Sequence, residues 1–207
     1  MSFAPPSLIE ARRYIAEKAG VPRSNMSIRS ARSARGYHAG ESQMFGPNGQ
    51  GWKDYSLKHP RNKAGLSEAS SAIDIKLPVK QLKALVQYLL AGAKAGTLDV
   101  FEIIGPDTDG KANYWSIATD WLPKPKWAPK SHEWHIHLGL PRDTEFSDRV
   151  AIFRPFFESV APEPEPDPEV QPDPAPTLTD VEALLDENEA LKGTLRYIAD
   201  LAQSALA

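Results

Sequence analysis

Between residues 71 and 77 apolar and polar side chains alternate, with Ile73, Ile75 and Leu77 on one side and Ala72 and Asp74 on the other. A period of two predicts a strand with one buried face. Pro78 then opens a helix over 78–95, closed by Gly96. Residues 7–20 predict a second helix, with Leu8, Ile9, Ala11, Ile15 and Ala19 as its apolar face and Gly20 as its end. A strand is expected over 98–104, a hairpin turn at the DTDG of 107–110, and a partner strand over 112–118. The DTDG lacks the later ligand positions and the distal Glu of a calcium loop, so turn chemistry explains it. A further strand is expected over 133–140 and a closing helix over 148–160. Residues 21–67 are rich in Gly, Ser, Arg and Asn and predict long loops with short strands. The fold class is α+β, a mainly antiparallel sheet with flanking helices.

The pattern breaks near residue 161. Residues 162–176 read PEPEPDPEVQPDPAP and hold seven of the 19 prolines and five acids. Such spacing removes backbone donors, and the like charges extend the chain, so residues 161–177 predict a semi-rigid linker. Beyond it, Val181, Leu184, Asn188, Leu191, Leu195, Ile198, Ala202 and Ala205 recur at spacings of three and four. That is a coiled-coil seam, and residues 178–207 are expected to pair with copies of themselves or dock on a larger assembly. The expected division is a globular domain over 1–160, the linker, and this helix.

The chain has 207 residues, 41% of them hydrophobic and 25% charged, in the range of a soluble domain with a tail. It has no cysteine, which excludes disulfides, Cys-ligated zinc fingers, iron–sulfur clusters and thiol nucleophiles. No apolar run is long enough to span a membrane. The N-terminal order is not that of a signal peptide. Synthesis in a cytoplasm and no membrane partner are expected. Residues 161–207 carry 11 of the 27 acids and 2 of the 24 bases, so the net charge of -3 conceals a basic body and an acidic tail. Arg29, Arg32 and Arg35 make a basic run, but no recognition motif accompanies it, and nucleic acid is not expected as a partner.

Three of the five histidines fall in one hexapeptide, HEWHIH, at 132–137. On a strand, Glu133, His135 and His137 share one face, while Trp134, Ile136 and Leu138 share the other and read as core. Asp74 is flanked by Ile73 and Ile75, a costly place for a carboxylate unless something compensates it. A zinc ion would do so, since zinc takes His nitrogens and carboxylate oxygens and keeps a position open in catalytic sites. A polar surface stripe is the alternative reading of the His pair, and a cap or salt bridge that of Asp74.

The stretches GYHAG, DYSLKHPRNKAGLSEASSAIDI and HEWHIHLGLPRDTEFSDRVAIFRPFF resemble the zinc peptidase superfamily of D-Ala-D-Ala carboxypeptidases, L-alanyl-D-glutamate endopeptidases, lysostaphin-type enzymes and hedgehog domains. Ser70, Ala72 and Asp74 match its S/G-x-A-x-D element, and His135 and His137 its H-x-H strand. The likeness covers roughly residues 30–157. It is greatest to carboxypeptidase-like proteins of actinobacterial phages, often encoded among minor tail proteins. The superfamily's first His would fall at Ser67, so another residue must replace it. His38 in GYHAG is the candidate and His59 the runner-up. The resemblance implies zinc held by His38, Asp74 and His137, with Glu133 as general base and His135 stabilising the oxyanion. Superfamily members differ in which of the last two acts as base. Arg35 and Arg61 are candidates to grip a substrate carboxylate, with solvated loop charge as the other reading. The implied substrate is the peptidoglycan stem peptide, cut from a virion tail at the bacterial cell wall. Phage tail proteins or a homo-oligomer are the partners expected through 178–207. A non-catalytic binding or structural tail protein of the same fold is the alternative.

Overall fold

The computed structural model describes residues 3–28, 35–159 and 192–193. The linker over 161–177 and, apart from Lys192 and Gly193, the coiled-coil helix over 178–207 lie outside the described residues, as do Arg29 and Arg32. Among the described residues no helix is long and apolar enough to cross a membrane.

Helix α1 (Pro6–Ala19) starts on Pro6, whose missing N–H costs nothing in a first turn, and stops at Gly20, which takes a left-handed φ of 64°. It buries Leu8, Ala11, Ile15 and Ala16. Short elements follow: β1 (Met26–Ser27), α2 (Glu41–Met44) and α3 (Pro60–Ala64), with one 3-10 turn before β1 and two between α2 and α3. The expected loops are therefore mostly turns of helix, with a single two-residue strand among the described residues of 21–67. Strand β2 (Ala72–Ile75) leads through Pro78 into α4 (Val79–Lys94). Its buried positions, Leu82, Leu85, Val86, Leu89, Leu90 and Ala93, make one stripe at helical spacing. Strands β3 (Glu102–Pro106) and β4 (Ala112–Ser116) form a hairpin closed by the expected turn, where the Gly110 N–H donates to the Asp107 carbonyl at 2.8 Å. Strand β5 (Ile136–Gly139) precedes α5 (Val150–Ser159), whose free N–H groups at Val150 and Ala151 are capped by the Asp148 carboxylate.

The five strands make one sheet in the order β1-β2-β5-β3-β4, every pair antiparallel. Its two faces differ in kind. Ile73, Ile75, Ile103, Ile136 and Leu138 point to the side carrying α1, α4 and α5, and all five are fully buried in one apolar cluster. Phe153 of α5 lies in that cluster at 0% exposure, and its truncation to Ala would cost about 3–5 kcal/mol. The other face carries Asp74 and His137. It is covered by the irregular segments rather than by a long helix, and a cleft opens there.

Two sequence expectations are corrected. The strand expected from 133 begins at Ile136, because Pro129 starts a 3-10 turn over Lys130–Glu133 and the chain becomes extended only after it. Trp134, expected in the core, is 50% exposed and lies under the Lys76 ammonium at 4.5 Å instead.

Candidate metal centre

Asp74 and His137 are direct partners in the register of β2 against β5. Side chains at such a pair rise from the same face as nearest neighbours. The third member comes from a turn. His38 is 36 residues before Asp74 in sequence, yet its Nε2 lies 3.0 Å from Asp74 Oδ1 and 3.1 Å from His137 Nδ1. His137 Nδ1 lies 2.9 Å from the same Asp74 oxygen. Two nitrogens and one oxygen thus close a nearly equilateral triangle, and these three residues form a group that could hold a metal ion. His38, not His59, is the histidine brought to the site.

The chain holds the His38 turn from several sides. The Gly36 N–H donates to Asp54 Oδ2 at 3.0 Å, and the Ser71 N–H donates to the Tyr37 carbonyl at 2.8 Å. Arg142, 1% exposed, donates through Nη2 to the Gly36 and Ala39 carbonyls and through Nη1 to the Ala69 carbonyl. One buried guanidinium therefore ties the turn carrying His38 to the residues entering β2. Burial pulls the Arg142 pKa down to about 10, which leaves it charged at neutral pH.

Proton positions follow from the partners. His38 Nδ1 lies 2.6 Å from the Ile28 carbonyl, which can only accept, so Nδ1 carries the proton. The other ring nitrogen, Nε2, faces Asp74 and His137. The Ile28 carbonyl also accepts from the Ser70 hydroxyl at 2.5 Å, so the motif serine fixes the group that orients His38. The second Asp74 oxygen accepts from Ser27 at 3.0 Å. Burial would raise the Asp74 carboxyl, but its contacts with His137 and His38 outweigh it and hold the group far below the usual carboxylate range. His137 is pulled down by burial yet raised to about 9 by the Asp74 and Glu102 carboxylates. Without a metal, a proton on His137 joins the triangle.

The residues fit a metal ion. At zinc–ligand distances of about 2.0–2.1 Å, tetrahedral ligands stand about 3.3 Å apart. The observed separations of 2.9 to 3.1 Å are a few tenths short of that. The donor set of two imidazoles and a carboxylate suits a first-row divalent cation, and a backbone carbonyl on the distal nitrogen of His38 is the usual support of a ligating histidine.

The triad lines a cleft of roughly 810 Å³, whose walls include Tyr55, Tyr114, Trp127, His132 and His135. His135 is buried and lines the cleft. Its ring packs on that of His132 with centroids 4.3 Å apart. Burial lowers both histidines, His132 to about 4 with added repulsion from its neighbours. Both rings are therefore neutral at neutral pH.

Other expected residues stand elsewhere. Glu133 is exposed on the 3-10 turn and does not line the cleft, because the strand that would have aimed it inward has not yet begun. Arg35 lines the cleft, whereas Arg61 does not. Arg61 is engaged by Asp99 at 2.8 Å and Asp143 at 2.7 Å and joins two loops. His59 caps α3, accepting from the Arg61 N–H, and packs edge-on against Phe101. Ser67 is buried and donates to Glu145 at 2.6 Å. Two site residues escaped the sequence reading. His132 carried only its membership in HEWHIH. Glu102, 1% exposed with Oε1 3.2 Å from His137 Nε2, carried the signal of a lone charge in the apolar run VFEII.

Comparison with known protein families, curated proteins and solved structures finds no match for the chain.

Proposed function

We propose that this protein is a zinc-dependent peptidase acting on the peptide part of bacterial cell wall, carried by a phage tail. The observation that supports it is the triangle of His38 Nε2, Asp74 Oδ1 and His137 Nδ1 bordering an open cleft. The resemblance of residues 30–157 supplies the substrate class and the virion setting. Zinc prefers such a donor set, and in a three-ligand site it supplies Lewis acidity and a water acidic enough to attack an amide.

The protein's own contribution is binding and proton handling. Tyr55, Tyr114 and Trp127 offer aromatic walls for an extended peptide. With Glu133 out of the cleft, the neutral imidazoles of His132 and His135 are the groups suited to accept a proton and return it to the leaving amine. His135, two residues before the ligand candidate His137 and lining the cleft, is the first choice. The test is incubation of the zinc-loaded full chain with purified peptidoglycan and analysis of the released peptides. New amine termini, suppressed by a chelator and restored by zinc, are expected.

One observation favours a second reading. Among the described residues lining the cleft, Asp74 is the sole carboxylate, and both triad histidines engage it. A zinc-stabilised module that binds stem peptides without cutting them would have such a cleft. Full zinc occupancy with peptide binding and no product would establish that reading instead.

A further inference from the structure

We propose that Glu102 is a positioning residue that holds His137 as a metal ligand by engaging its distal nitrogen; this rests on the metal-site reading above. Glu102 begins β3, where it pairs with Gly139 while Ile104 pairs with His137. It therefore stands one diagonal step from His137 on the same face. Gly139 makes the approach possible. A Cβ there would stand 2.9 Å from the Tyr37 ring, closer than packing tolerates, and 3.0 Å from the Glu102 Cβ, so that residue would have to shift.

Glu102 Oε1 lies 3.2 Å from His137 Nε2, out of line with the ring N–H, and accepts from the Tyr55 hydroxyl at 3.3 Å. Its hydroxyl neighbours, Tyr55 and Tyr114, are neutral, and a buried carboxylate with neutral donors is costly unless positive charge stands nearby. A divalent cation on the opposite nitrogen of His137 provides that charge across the ring. The carboxylate in turn keeps a proton on Nε2, leaving the Nδ1 lone pair for the metal, and strengthens the imidazole as a donor. With Asp74, the site then offers two negative charges to a doubly charged ion. The purely structural alternative is that Glu102 only anchors Tyr55 to the sheet.

The experiment compares the full chain with E102A and E102Q. Zinc affinity is measured by competition with a chromophoric chelator, and the visible spectrum is recorded after loading with cobalt. Thermal melting without metal checks folding. Loss of the carboxylate in E102A is expected to weaken zinc binding about 10–100-fold. E102Q keeps an acceptor of the same size but no charge, so its loss should be intermediate, with a cobalt spectrum shifted from that of the parent. Parental affinity in both folded variants would overturn the proposal. If E102A does not fold, parental affinity and spectrum in E102Q would overturn it alone. A parent chain that takes up no metal would instead remove the metal-site reading on which the proposal rests.

Discussion

His38 Nε2 and His137 Nδ1 face one another across 3.1 Å, with the Asp74 carboxylate closing the figure. Three atoms rich in electron density sit this close only when a proton or a metal ion stands among them.

The first expectation is therefore about one zinc per chain, by elemental analysis after purification without added metal. His38→Ala and His137→Ala should each abolish retention, whereas His59→Ala, which removes a helix cap, should keep the metal at a cost of about 1 kcal/mol in stability. Metal loss in the His59 variant alone would exclude the triangle as the site.

The pH dependence has opposite signs with and without metal. His137 is raised from 6.5 to about 9, burial notwithstanding, by its two carboxylate neighbours. In the metal-free protein its charged form adds stability that is complete below pH 6.5 and lost as pH rises through about 9. Metal binding must displace that proton, so zinc affinity should grow across the same window. Titration calorimetry at pH 7 in buffers of different ionisation enthalpy should read about one proton released per zinc. No release would show that His137 is not a ligand.

Arg142 gives a prediction on stability. Arg142→Met leaves the Gly36, Ala39 and Ala69 carbonyls without their buried donor. At roughly 1 kcal/mol per hydrogen bond, the loss should be about 3 kcal/mol in urea denaturation without metal. Zinc affinity should fall as well, because the turn that carries His38 loses its tie to β2. Unchanged affinity in a destabilised variant would mean that the turn is held by Asp54 and Ser71 alone.

The proton-transfer assignment separates three neighbouring residues. His135→Ala should lower peptidoglycan hydrolysis by about 10²–10⁴-fold with zinc retained. Glu133→Ala should be nearly neutral, since that side chain faces solvent. Loss of hydrolysis in the Glu133 variant with His135→Ala still active would reverse the assignment.

Assembly is a separate matter of the acidic tail. The seam from Val181 to Ala205 is apolar except at Asn188, which can pair with its copy and fix register. Light scattering should show the full chain as a small oligomer and a chain ending at residue 160 as a monomer, both retaining zinc.

The legible part of the fold was the part governed by local periodicity. Ile73 and Ile75 announced β2 and, by alternation, the opposite orientation of Asp74. Helix α4 followed from its apolar stripe and from Pro78 and Gly96. His137 was legible as the polar member of IHL. His38 was not legible from pattern, because its turn is held by long-range bonds to Arg142 and Ser71, and only the resemblance pointed to it. Glu133 was misread because alternation was carried back through HEWHIH across a turn that Pro129 starts. Glu102 acts through a diagonal contact between strands, and such contacts depend on register, which a single strand does not display.

The pairing of Asp74 with His137 has a consequence for how this chain reaches a single folded form. A slip of β2 against β5 by one residue would turn one strand over, sending its ligand into the apolar layer and an isoleucine or leucine toward the cleft. A sheet slipped by one residue then cannot assemble the His38, Asp74 and His137 group. If a metal ion binds there, loading during synthesis would withdraw correctly aligned molecules from the pool still free to rearrange.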